Sequence, residues 1–122
     1  MTWDAYHRRE EALRAVIDEA NTRLDGVLPI DAALLDTFGD EVHLVGALQQ
    51  RWHTRLSGAI EKALDEQPWN PQAAVHTAWR RTRSELPGIR LVLDTCAAHP
   101  TSEEMARTLR RARRQEQALL VA

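Results

Sequence analysis

Apolar residues recur at intervals of three and four along most of the chain, the period of a helix that hides one stripe and wets the rest. Trp3, Tyr6, Leu13, Ile17, Ala20 and Leu24 fall on one such stripe. Thr2 can cap its start, and Asp25-Gly26 supplies a stop. After Val27-Leu28-Pro29, Asp31 can cap a short helix carrying Ala32, Leu34, Leu35 and Phe38, closed by Gly39. The longest segment starts at Asp40, where Val42, Val45, Leu48, Trp52, Leu56, Ile60, Ala63 and Leu64 form a continuous apolar line up to Gln67-Pro68.

Pro68-Trp69-Asn70-Pro71 reads as a loop, an asparagine cap and a proline in the first helical position, where its missing N–H costs nothing. The next stripe is Val75, Ala78, Trp79, Thr82 and Leu86; Pro87-Gly88 breaks it before a shorter segment with Ile89, Val92, Leu93 and Cys96. His99-Pro100 ends that segment. Thr101 and Glu104 have the spacing of a capping box, and open a last helix with Met105, Leu109, Ala112, Leu119 and Leu120 on its inner side. No period-two alternation, hairpin turn or internal repeat interrupts this pattern. The expected fold is all-α: one domain over residues 1–122, an antiparallel bundle of three to four long amphipathic helices with one or two short ones packed across its ends.

Composition bounds the picture. Apolar residues make up 43% of the chain and charged residues 28%, the balance of a folded chain rather than a disordered one. No run approaches the roughly 20 apolar residues of a membrane span. Asp4, Glu10, Glu11 and Asp18 interrupt what would otherwise serve as a signal peptide, and a single cysteine cannot form an internal disulfide. A cytoplasmic protein is expected. Arginine supplies 15 of the 16 basic residues and alanine is abundant, a usage that points to a bacterial genome rich in GC. The net charge of −2 is unevenly spread: residues 1–75 carry 7 basic and 13 acidic side chains, residues 76–122 carry 9 and 5. Such a split suits either attraction between helices or a basic face turned to an acidic partner.

The residues that could carry chemistry are sparse. His7, His43, His53, His76 and His99 form no HExxH pair, and there is no CxxC motif. His7 shares a face with Glu10 and Glu11, a spacing that could serve a metal-dependent helical enzyme, but surface pairing with acids explains it as well. Cys96 and His99 lie three apart, close enough for an imidazole to activate a thiol; Cys96 also continues an apolar stripe. No nucleophile elbow, phosphate-binding loop or dinucleotide fingerprint occurs, so no catalytic residue, cofactor or metal ligand is assigned. The Trp-x-Gly turn of small secreted helical hairpins is also missing, since Trp52-His53-Thr54 and Trp69-Asn70-Pro71 stand in its place.

Two features point outward instead. Trp3, Trp52 and Trp79 fall on apolar stripes and read as core, whereas Trp69 lies in a loop, where it can fold back onto Ala74 as a hydrophobic staple or protrude as an aromatic anchor. Arg107, Arg110, Arg111 and Arg114 stand at offsets of three, four and seven, opposite Met105, Leu109 and Ala112. That face could follow phosphates along a nucleic acid, or meet carboxylates of a partner protein or a second copy of the chain. Interleaved aromatics are missing and Glu103, Glu104 and Glu116 dilute its charge, which favours protein contacts, homodimerisation among them, over nucleic acid.

Overall fold

The computed structural model describes residues 2–121. Among them the chain forms six helices and no strand: α1 (Trp3–Arg23), α2 (Ala32–Phe38), α3 (Glu41–Glu66), α4 (Pro71–Glu85), α5 (Pro87–Ala98) and α6 (Glu103–Leu120). No helix among them is long and apolar enough to cross a membrane. Short polar side chains start most helices by accepting an otherwise unpaired backbone N–H. Thr2 accepts from Ala5, Asp31 from Leu34, Asp40 from His43 and Asn70 from Ala73, as their positions before the apolar stripes predict.

The cap of α6 is displaced by one residue from the sequence expectation. Ser102 accepts the Met105 N–H, while the Thr101 hydroxyl is drawn away to Glu41 Oε2 at 3.1 Å. The end of α1 also differs. Leu24, not a glycine, takes the left-handed cap at φ 51, and its side chain is turned to solvent. Asp25 secures the exit: its Oδ1 accepts from the Val27 N–H at 2.9 Å and its Oδ2 from Arg23.

The core gathers around α3, whose Leu44, Val45, Leu48, Trp52, Leu56 and Ile60 are all buried. The four-residue loop after α3 returns α4 antiparallel to it, the most extensive packing in the molecule. The chain then passes through α5, and α6 comes back against both α3 and α5. Thr101 at the start of α6 meets Glu41 at the start of α3, and Glu116 meets Trp52 further along both, so these two helices run in the same direction.

α1 is held mainly by α5. Where they cross, Gly88 lies directly against the Ala20 carbonyl group and the Asn21 amide nitrogen, with no room for a Cβ. The Gly88 N–H, left free by its place in the first turn of α5, donates to the Asn21 side chain at 2.9 Å.

The first turns of α1 overturn the sequence reading. Burial begins at Leu13; Trp3 is 75% exposed and Tyr6 50% exposed, although both keep helical register with the stripe. Trp3 stacks edge-on against His7 with centroids 4.1 Å apart instead of entering the core. Periodicity assigns a face, but here there is no neighbouring helix for that face to meet.

Candidate functional site

α6 is a helix because Met105, Leu109 and Ala112 bury one stripe while arginines occupy the remaining faces. Arg107, Arg111 and Arg114 sit on the side opposite the stripe and are exposed. Arg110 is exposed on the flank, where its only carboxylate contact among the described residues is Glu103 at 3.3 Å, between two well-solvated side chains. Arg113, one turn beyond Arg110 and outside the spacing that singles out the other four, shares that flank. Among the described residues Arg107, Arg111, Arg113 and Arg114 have no carboxylate within ion-pair distance. The acidic side chains of α1 are not used to neutralise them: Glu10 pairs with Arg51 of α3 at 2.9 Å.

Between α5 and α6 runs an open groove of about 670 Å3. Leu120 contributes partly exposed apolar surface above the buried Leu93 and Leu109, Ala97, Ala98 and Ala106 keep the walls low, and Arg110 and Arg113 stand on the α6 side. The deep end is built from four helices joined at one atom. Glu116 Oε1 accepts from Trp52 Nε1 at 3.2 Å, from Trp79 Nε1 at 3.1 Å and from Arg90 Nη1 at 3.4 Å. Arg90 in turn donates from Nε and Nη2 to Asp94 Oδ1 at 3.0 and 2.7 Å, and its guanidinium lies 4.6 Å from the Trp52 ring centroid. The Arg90 and Glu116 side chains are only 13% and 14% exposed. At that depth each charge depends on the other, and both remaining donors are indole N–H groups with no other partner among the described residues.

This junction was not legible in the sequence. Glu116 reads there as a residue diluting a basic helix, yet its partners lie 64, 37 and 26 positions away. The one available signal was indirect: two tryptophans on facing stripes need acceptors for their N–H groups.

The other candidates disperse. Among the described residues no group of three or more His, Cys, Asp or Glu side chains comes together as a ligand set. His7 faces Trp3, His43 Nδ1 lies 2.7 Å from its own cap Asp40, and His76 and His99 are exposed. His53 has a buried Nδ1 with no hydrogen-bond partner among the described residues. Trp69 is 77% exposed, so it does not fold down over Ala74 as a staple.

Cys96 is buried, and burial, reinforced by the negative charge of Glu41, pushes its thiol above the ordinary value. That is the reverse of what an activated nucleophile needs. In native protein at neutral pH, Cys96 is expected to react with iodoacetamide at least about 100-fold more slowly than a free thiol and to label fully once unfolded in urea. Mass spectrometry of quenched time points measures this; native labelling as fast as in urea would place the thiol at the surface.

No protein-family model, curated protein or solved structure matches this chain.

Proposed function

We propose that this protein is a non-enzymatic docking module that works through protein–protein contacts, either with a partner or with a second copy of itself, and that α6 is its docking element. One observation carries the reading. The chain has 18 acidic side chains, yet four arginines of α6 stay exposed with no carboxylate partner among the described residues. Unneutralised charge on one rigid helix is suited to steering and orienting an acidic surface. Trp3, Tyr6 and Trp69 add exposed aromatic surface of the kind that anchors interfaces. A lone buried thiol that needs no oxidising environment agrees with a cytoplasmic setting.

A nucleic-acid role would use the same arginines differently, by displacing counterions from phosphates, and it makes an opposite prediction. Fluorescence anisotropy with labelled duplex DNA and single-stranded RNA should give binding weaker than about 10⁻⁴ M near physiological salt, because the protein as a whole is acidic and opposes a polyanion. Native mass spectrometry of the purified full chain should show a homo-oligomer or a co-purifying polypeptide that is lost when Arg107, Arg110, Arg111, Arg113 and Arg114 of α6 are replaced together by alanine. Micromolar nucleic-acid binding abolished by that substitution, or a strict monomer carrying a stoichiometric metal, would overturn the reading.

A further inference from the structure

We infer that the α5–α6 groove is the seat for a partner's amphipathic helix that carries two carboxylates one turn apart beside a stripe of small and leucine-sized side chains. The inference rests on the docking reading above and gives it a place and a ligand chemistry.

Length favours an elongated occupant. The α6 wall contributes residues from Ala106 to Leu120, about 21 Å at a rise of 1.5 Å per residue, which is nearly four helical turns. A compact metabolite would fill a fraction of that length. The groove is also open to solvent along its alanine-lined side, so it can take the side-chain stripe of a helix while the rest of that helix stays wet. Ala97, Ala98 and Ala106 present no side chain beyond Cβ, which lets a second backbone approach closely enough to pack on the partly exposed Leu120, above the buried Leu93 and Leu109.

Charge selects the sign of that helix. The acids that line the groove are already committed, Asp94 and Glu116 both to Arg90. The rim offers Arg110, tied only to a solvated Glu103, and Arg113, tied to nothing among the described residues. Guanidinium groups three residues apart on one helix match carboxylates spaced by three or four on another, and each such pairing can be bidentate. A phosphodiester backbone would fit this site poorly, since it would lie over the apolar surface of Ala97, Ala98, Ala106 and Leu120.

The test uses the full chain and three synthetic helices of about 18 residues. The first has an Ala/Leu stripe flanked by paired glutamates one turn apart, the second has those glutamates replaced by lysines, and the third is the first in scrambled order. Isothermal titration is read for the native protein, for Arg110→Glu/Arg113→Glu and for Arg107→Glu/Arg111→Glu, with circular dichroism confirming that each variant is folded. The glutamate helix should bind the native protein with a Kd in the micromolar range, and the groove variant at least about 10-fold more weakly. The outer-face variant should bind it unchanged, and the lysine helix should prefer the groove variant to the native protein.

Equal binding of the glutamate and scrambled helices, or no binding at millimolar peptide, overturns the inference. Loss in the outer-face variant but not in the groove variant moves the docking surface to Arg107 and Arg111, defeating the groove while the docking reading stands. Duplex DNA binding more tightly than the glutamate helix defeats both.

Discussion

Gly88→Ala should cost this protein at least about 3 kcal/mol of stability, because the added methyl group has nowhere to go. At position 88 it meets the Ala20 carbonyl and the Asn21 amide nitrogen, which belong to the backbone of α1 and move only if the whole helix moves. Separating α1 from α5 would also break the bond from the Gly88 N–H to Asn21 and uncover Ile17, Ala20 and Ile89. The internal control has the opposite sign. Gly46 and Gly58 lie inside α3 with no atom near a notional Cβ, so alanine there should add up to about 1 kcal/mol each by favouring the helix. Urea midpoints with unchanged slopes measure all three. A Gly88→Ala variant as stable as the native protein would mean that the helices do not cross as described.

Trp52→Ala should be comparably damaging, with a loss of about 3–5 kcal/mol, the usual result of emptying a large aromatic site in a packed core. Trp52 is fully buried, and two further groups depend on it: its ring receives the Arg90 guanidinium, and its N–H occupies Glu116 Oε1. The loss should therefore fall toward the upper end of that range, since a partly stripped Glu116–Arg90 pair stays at low exposure. Trp69→Ala should change stability by no more than about 0.5 kcal/mol, because that ring is in solvent. Equal shifts in the two denaturation midpoints would refute this assignment of core and surface tryptophans.

The elements of this fold were legible because the signals that define them are local. Asp31, Asp40 and Asn70 each announce a helix a residue or two before it begins, and the stripe from Val45 to Ile60 announces which side is buried. What was illegible depends on partners distant in sequence. Trp3 and Tyr6 continue the α1 stripe, yet nothing in their spacing reveals that the helix has run past the body of the bundle. Pro87-Gly88 reads as a break, and it is one, but the demand for glycine comes from α1, 67 positions away from its hydrogen-bond partner. Of the candidate site, the arginines were legible as a face and the groove was not. A groove is defined by the distance between two helices, and the alanines that line this one, Ala97, Ala98 and Ala106, lie off the apolar stripes.

The clasp on Glu116 bears on how fast the partner of the proposed docking role could be captured. A docking helix that is loose in the free protein must be ordered at each encounter, which slows productive collisions and subtracts from the affinity. α6 is pinned near its far end to α3, α4 and α5 through one carboxylate oxygen, and at its near end to α3 through Thr101. Its arginines therefore hold a fixed spacing before any partner arrives. Under the docking role proposed above, capture would then be governed by diffusion and the attraction of opposite charges, and the lifetime of the complex by how many guanidinium contacts the partner could satisfy at once.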